Sequence, residues 1–480
     1  MTTTASAVVR YRAYIDGAWC DGDAVDTVTN PYDGRVVGEV VRSTPSDAER
    51  AVVAARKAFA SWRLTPAFER AALVAAIAAG VEARRDEFAH TMCLHTGKPV
   101  RDGLAEVTRT VATLQIAAEE AKRIDGEVIA MDAVPAGRGK RGYAVYEPLG
   151  VVAGIVPYNA PLNLAAHKLG PALAAGDALV IKPHPQGSGV ATMLVEIAEA
   201  AGVPRGVVSV VHGGADVGRA LTGHSDVALI SFTGSGGVAE AILRDAGLKR
   251  SVLELGGNAP TIVHEDADWE RAAELCVDAS FGLSGQTCVS TQRLYVHEAV
   301  LERFTDAFVA RVRALRVGDP LDPATEIGPL NTADAAQRVH AWIREAVEHG
   351  ARLLCGGELQ GNAITPTVLH DVKPAMKVVC EEVFGPVVSI LSYRDLDDVI
   401  RAANATPYGL KAGIFTDSLG VATRAARDLQ FGTVNINAPS RSRVDHEPSG
   451  GVKASGWGRE GPYYAIREFS NLKMVTVAGS

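Results

Sequence analysis

Cys288 stands in FGLSGQTCVSTQR (281–293), among glycines and small hydroxyl residues and not in an apolar run. A free cysteine is ordinarily small core filler. That reading suits Cys276 inside the helical DWERAAELCVDA, but Gly282, Ser284, Gly285, Gln286, Thr287 and Ser290 give Cys288 no apolar periodicity. An accessible thiol suits attack on a carbonyl carbon, given thiolate character from a nearby base or a helix N-terminus. It needs a partner to handle protons. None of the 12 histidines has local context that marks it for this work. Glu254, closing the strand-like SVLELGG, is the better candidate, because a carboxylate of raised pKa activates water. Taken alone, Glu254 also reads as a capping or salt-bridged acid.

A second chemical signal is TGSGGVAEAI (233–242), where Gly234, Gly236 and Ala239 follow a strand and open a helix, with Glu254 downstream. This is a weak G-x-G-x-x-A dinucleotide fingerprint. It falls on the fourth strand of its sheet instead of the first, so a tight strand-to-helix turn is its competing explanation. The six cysteines show no CxxC pair and no dense spacing, which argues for free thiols and against a disulfide framework or a metal site.

These residues must be positioned by elements whose order is legible. A length of 480 residues predicts two or three domains. PSDAERAVVAARKAFASW (45–62) reads as a helix with a capping box of Ser46 and Glu49, and residues 65–92 continue the helical pattern. Between 150 and 255, GVVAGIVPY, ALVIKP, GVVSVVH, VALISFTG and SVLELGG alternate with helical stretches. That is the pattern of a doubly wound parallel sheet, whose ligands bind beyond the carboxyl ends of the strands. QRLYVH (292–297), a helix over 298–315, VVSIL (387–391), KAGIFT (411–416) and GTVNIN (432–437) predict a second α/β domain. RGYAVYEP (141–148) and NLKMVTV (471–477) belong to neither sheet and are expected to pair as an arm that contacts another subunit.

The formal net charge is −8, and Lys and Arg form no long block, which argues against nucleic acid as a partner while leaving room for a local anion site. The first residues show no apolar signal core, and the apolar run 71–81 is too short to span a bilayer, so a cytoplasmic protein without membrane association is expected.

LELGGN (253–258) and GQTCVS (285–290), 34 residues from Glu to Cys, resemble the two signatures of the aldehyde dehydrogenase superfamily. PYNAP (157–161), IKP (181–183), FTGS (232–235), EEVFGP (381–386), TPYGL (406–410) and GGVKASGWGREG (450–461) follow in the family's order. The resemblance covers nearly the whole chain. It implies an α/β aldehyde dehydrogenase fold with two doubly wound parallel-sheet domains and a small β oligomerisation arm. The dinucleotide-binding domain would span 1–123 and 148–255, the catalytic domain 256–454, and the arm 124–147 with 455–480. A homodimer or homotetramer is implied.

By the same resemblance Cys288 is the nucleophile, Glu254 the base and Asn159 the side-chain donor to the oxyanion. Aldehyde addition to the thiolate gives a thiohemiacetal whose oxyanion is held where charge develops. Transfer of hydride to a nicotinamide leaves a thioester, which water deprotonated by Glu254 hydrolyses. The cofactor would be held by Ile155, Val156, Pro157, Lys182, His184, Pro185, Gly214, Gly218, Phe232, Thr233, Gly234, Ser235, Val238, Leu255, Glu382 and Phe384. Among these, Lys182 would serve the adenosine ribose, Ser235 the pyrophosphate and Glu382 the nicotinamide ribose. Pro185 replaces a glutamate common in NAD-preferring members, so NAD or NADP is implied, with a lean to NAD.

Ala160 and Ser449 stand where many members carry phenylalanines, so two aromatic walls of the substrate pocket are missing. Residues 106–127 and 439–451 are similar to the branch containing lactaldehyde, non-phosphorylating glyceraldehyde-3-phosphate and phosphonoacetaldehyde dehydrogenases. Arg109 and Arg443 there imply paired, charge-assisted hydrogen bonds to phosphate, phosphonate or carboxylate, assisted by His446 or Arg293. Thr287, next to Cys288, is expected to sense substrate size. The expected function is oxidation of a small polar, anionic aldehyde to its acid. The alternatives are a catalytically silent binding or structural relative and a thiol hydrolase that needs no cofactor.

Overall fold

The computed structural model describes residues 8–22 and 24–478. Its larger sheet has eight strands in the spatial order 456–457, 250–254, 227–233, 151–156, 178–183, 208–210, 13–15 and 18–20. The five central strands are parallel, and antiparallel additions close both edges. Side chains alternate between faces as the period of two requires. Val151, Ala153 and Val180 join one apolar cluster, whereas Val152, Leu179 and Ile181 join the other. Both faces are covered, which is why these strands read as continuous apolar runs.

Strand order reverses at 151–156. The chain proceeds from it outward through 178–183 and 208–210, then returns to lay 227–233 and 250–254 on its other side. The crevice between 151–156 and 227–233 is therefore the topological switch point where a doubly wound sheet binds ligand. Pro157 to Asn159 leave one of these strands and Thr233 to Ser235 the other.

Only Leu255 to Asn258 separate strand 250–254 from strand 259–263 of the second sheet. That sheet has seven strands ordered 352–355, 367–370, 387–393, 291–297, 259–263, 411–415 and 433–436, all parallel except the first. The sequence reading missed 259–263, a central strand, because APTIV begins with the alanine and proline that usually mark a loop.

Three further expectations need correction. The first helix, Pro45–Trp62, is capped by Thr44 with Asp47 in a reciprocal box, and not by Ser46 with Glu49. Proline at the first helical position sets that start. The stretch 65–92 is two helices, Ala67–Ala83 and Arg85–Thr96, which meet at Arg84 outside helical geometry. Of the segment 455–480, Gly456–Trp457 joins the edge of the first sheet and helix Pro462–Glu468 packs on helices 161–175 and 100–120. Only Ser470–Ala478 pairs antiparallel with Lys140–Pro148, and Glu127–Ile129 completes that three-stranded ribbon.

No helix among the described residues is long and apolar enough to cross a membrane.

Candidate active site

Glu254 ends strand 250–254, and Cys288 lies in the turn between helix Trp269–Phe281 and strand Thr291–His297. The Cys288 thiol donates to Glu254 Oε1 at 3.2 Å. Two close approaches bring them together. A Cβ on Gly257 would fall 2.1 Å from the Cys288 carbonyl oxygen, and one on Gly256 would fall 2.5 Å from Glu382 Oε2. The paired glycines of LELGGN are the space that admits the Cys288 turn on one side and a carboxylate on the other.

The turn itself is under conformational strain. Leu283 and Ser284 take φ values of 57° and 55°, and Gly285 follows at 70°. Non-glycine residues there cost about 1–3 kcal/mol each and persist only when their surroundings over-determine them. Here Ser284 Oγ donates to Gly328 O at 2.9 Å and accepts from Gly328 N at 3.0 Å, while Asp102 Oδ2 accepts from Leu283 N at 3.3 Å. The small residues of FGLSGQTC therefore serve a fixed turn, whereas the sequence suggested only an open loop.

Two cavities meet at this point. One, of about 230 Å³, is lined by Pro157, Thr233, Gly234, Ser235, Leu255, Glu382 and Phe384, with Tyr158 and Gly256. The other, of about 530 Å³, is lined by Arg109, Ala160, Asn163, Leu275, Thr287 and Arg443 among others. Asn159, Leu164, Glu254 and Cys288 line both, so the three residues expected to do chemistry sit at the junction.

Electrostatics around Glu254 are governed by a buried charge chain. Burial, then the Glu460 charge, raises Glu254 to about 7, against the hydrogen bond from Cys288 and the cations Arg443 and Lys168. Glu460 is lowered despite burial, held ionised by His167, Lys168 and Arg443. Of these two coupled carboxylates, Glu254 keeps the proton longer. Burial and the Glu254 charge push the Cys288 thiol well above its ordinary value. It is thus a neutral thiol at pH 7 that can pass its proton to the adjacent carboxylate as it attacks.

The residues expected to hold a dinucleotide fall in two groups. Ile155, Lys182, Gly214, Gly218 and Val238 line a third cavity of about 330 Å³, with Arg219 and Gly237. The other group lines the cavity beside Cys288. Helix Gly236–Ala246 starts between these groups, and a Cβ on Gly236 or Gly237 would meet no atom within 4 Å. An open helix N-terminus beyond a switch-point strand fits a pyrophosphate. Glu382, raised by burial to about 7, accepts from Gly257 N at 2.9 Å. Tyr158, which the sequence reading passed over, bridges His184 and Phe384 with ring centroids at 5.1 and 6.1 Å. Val156, His184, Pro185 and Phe232 line none of these three cavities: Val156 and Phe232 are buried, the latter against Gly234, whereas His184 is half-buried and Pro185 exposed.

The substrate-side arginines are more constrained than the sequence suggested. Helix Val100–Glu120 carries Glu106, which accepts from Leu162 N and Asn163 N and so caps helix Pro161–Ala175. One turn later Arg109 makes a two-pronged pair with Asp445, at 2.9 and 2.7 Å. Asp445 also accepts from Asn163 at 3.1 Å and lies 3.3 Å from His167 Nε2. Against burial, hydrogen bonds from His167 and Arg109 hold its carboxyl far below the usual range. Arg443 donates to Glu460 at 3.2 Å and approaches His167 at 3.1 Å.

Two expectations fail. Arg293 is buried with its guanidinium donating to the carbonyls of Asn258, Ala402 and Ala403 and to the Tyr295 hydroxyl, which ties strand 291–297 to its neighbours, and it lines neither cavity at Cys288. His446 is exposed and lies off the cavity wall. Two arginines that the sequence reading missed, Arg271 and Arg441, do line it. Arg441 pairs with Asp278 and fills the space a side chain at Gly282 would need, its Nη1 being 2.3 Å from the Cβ position there. That glycine was a usable signal, although only the fold shows what it makes room for.

The family model described as "Aldehyde dehydrogenase family" matches residues 19–475. A 3-sulfolactaldehyde dehydrogenase of Priestia aryabhattai is 42% identical over 476 residues, covering 99% of both chains. An aspartate-semialdehyde dehydrogenase of Pseudomonas canavaninivorans is 41% identical over 448 residues, 93% of this chain and 95% of the relative. The crystal structure of aldehyde dehydrogenase 21 from Physcomitrella patens in complex with the reaction product succinate superposes with a TM-score of 0.96 at 36% identity, covering 98% and 99% of the two chains.

Proposed function

We propose that this chain, which belongs to the aldehyde dehydrogenase family, oxidises a small aldehyde whose far end carries a sulfonate or carboxylate, and releases the acid. The observation that carries the reading is the shared junction. Cys288 and Glu254 sit 3.2 Å apart where a cavity suited to a dinucleotide meets a cavity walled by four arginines. Named relatives support the anionic tail, since 3-sulfolactaldehyde and aspartate semialdehyde both carry one.

In this reading the chain's own residues do the following. Glu254 takes the Cys288 proton as sulfur adds to the aldehyde carbon, and the Asn159 amide donates to the oxygen that becomes negative. NAD or NADP, when bound, supplies the acceptor that makes the step an oxidation. Lys182, Ser235 and Glu382 would hold it, with Tyr158 and Phe384 along its path. Once the Cys288 proton has been released to solvent, Glu254 is a carboxylate again and deprotonates the water that cleaves the Cys288 thioester. We favour NAD, because Asp216, whose charge is felt by Lys182 and whose carboxylate lies beside Gly214 of the Lys182 cavity, would disfavour a 2′-phosphate. A homo-oligomer built on the ribbon of 127–129, 140–148 and 470–478 belongs to the same proposal.

The test is a panel of sulfonate, carboxylate, phosphonate, phosphate and neutral aldehydes of matched length, each with NAD and with NADP. The reading expects the highest kcat/KM with a sulfonate or carboxylate and NAD, and no turnover by Cys288→Ala. A neutral aldehyde ranking first would overturn it.

A further inference from the structure

We propose that Arg271 is a specificity-determining residue, the cation that captures an anionic aldehyde at the mouth of the substrate cavity. The inference deepens the anionic-substrate reading and rests on it. Four arginines line the cavity, and three are already neutralised: Arg109 by Asp445, Arg441 by Asp278 and Arg443 by Glu460. Among the described residues Arg271 makes no ion pair, although Glu270 and Glu274 flank it in sequence. The cavity is thus lined by fixed ion pairs with one uncompensated positive charge.

Its position follows from helix geometry. Helix Trp269–Phe281 turns Arg271, Leu275, Asp278 and Ala279 toward the cavity. Eight residues at a rise of 1.5 Å set Arg271 about 12 Å along the axis from Ala279, and helical side chains lean toward the N-terminus, away from Cys288. Exposure runs the same way. Along the cavity-facing side Arg271 is exposed, Leu275 half-buried and Ala279 buried, while Asp278 next to Ala279 is exposed and paired with Arg441. Arg271 also lies in the first turn, where the helix dipole disfavours a cation. Asp268, whose carboxylate accepts from Arg271 N at 3.0 Å, and Glu270 share that turn, so the attraction for an anion is that of the Arg271 guanidinium itself where it lines the cavity.

A mouth cation acts on encounter and not on chemistry. Arg271→Ala is expected to lower kcat/KM for a carboxylate-bearing aldehyde about three- to tenfold at low ionic strength, leaving kcat unchanged. It should flatten the fall of kcat/KM as salt rises from about 20 to 300 mM, the range over which exposed charges are screened. A neutral aldehyde of equal length should not respond, and Arg271→Lys should retain most of the wild-type rate. Loss of kcat, or equal loss with the neutral aldehyde, would overturn the assignment. So would an unchanged kcat/KM for the anion in a wild-type enzyme that does favour anions, an outcome that leaves the substrate reading intact. A wild type that shows no preference for anions at any ionic strength would remove both.

Discussion

Replacing Glu460 should move the pH profile of turnover, although Glu460 is not expected to touch substrate. Glu254 ionises near pH 7 in place of the ordinary 4.5, so deprotonating it costs about 3 kcal/mol more than in water. Burial is the larger cause and survives the substitution; the Glu460 charge comes second. Glu460→Gln removes a negative neighbour. It also frees Arg443 and Lys168, which now partner Glu460, to act on Glu254. All three changes favour the Glu254 carboxylate. The rising limb of kcat should therefore shift to lower pH by up to about one unit, less than half the total displacement because burial remains. Steady-state kcat at saturating aldehyde and cofactor, followed from about pH 5.5 to 9, reads this directly. Cys288 does not obscure the limb, since its thiol titrates far above neutrality. A limb that stays in place, or moves to higher pH, would refute the claim that Glu460 sets the ionisation of Glu254.

Three further outcomes test other parts of the site. Gly257→Ala puts a methyl 2.1 Å from the Cys288 carbonyl oxygen, so the nucleophilic turn must shift, and kcat should fall at least about a hundredfold while circular dichroism shows the fold retained. Arg109→Ala should change the KM for an anionic aldehyde by less than about threefold, below the Arg271→Ala effect, because both prongs of its guanidinium are held by Asp445. It should lower Tm, because Asp445 loses two charge-assisted hydrogen bonds while still buried, a cost of about 1–3 kcal/mol. Glu254→Gln should stabilise the protein at pH 8. The folded-state pKa lies above the unfolded one, so the wild-type carboxyl contributes stability below about 4.5 that is lost as pH rises through about 7. Thermal melts of the pair should therefore differ at pH 8 and converge near pH 4.5, and a Gln variant that melts below wild type at pH 8 would contradict this.

Local rules reach far into this chain. Apolar runs alternating with helices located the first sheet because both its faces are buried, and the ends of its strands indicated where Asn159, Ser235 and Glu254 would emerge. Locating Cys288 needed only the absence of apolar periodicity around it. What stayed hidden depended on contacts between distant segments. Nothing local distinguishes Arg293, which is committed to carbonyls more than 100 residues away, from an arginine facing a ligand. Asp445 reads as an ordinary loop acid until helix 100–120 and helix 161–175 bring Arg109, Asn163 and His167 around it. The left-handed Leu283 and Ser284 break the backbone preferences on which a sequence reading relies, and only their anchors, Asp102 and Gly328, hold them there.

Pairing three of the four cavity arginines with carboxylates has a consequence for product release. On the proposed reaction, a monoanionic aldehyde enters and a dianion must leave. A cavity of uncompensated arginines would hold the dianion more tightly than the substrate. Here the walls carry Asp278, and Asp445 and Glu460 stand behind Arg109 and Arg443, so most of the cavity's positive charge is already answered. The second negative charge appears at Cys288, beside Glu254 and within the field of Glu460. Once Glu254 has lost its proton, repulsion between that carboxylate and the new one opposes rebinding. Capture and release thus act at opposite ends of one cavity, through Arg271 at the mouth and through the buried acids at the junction.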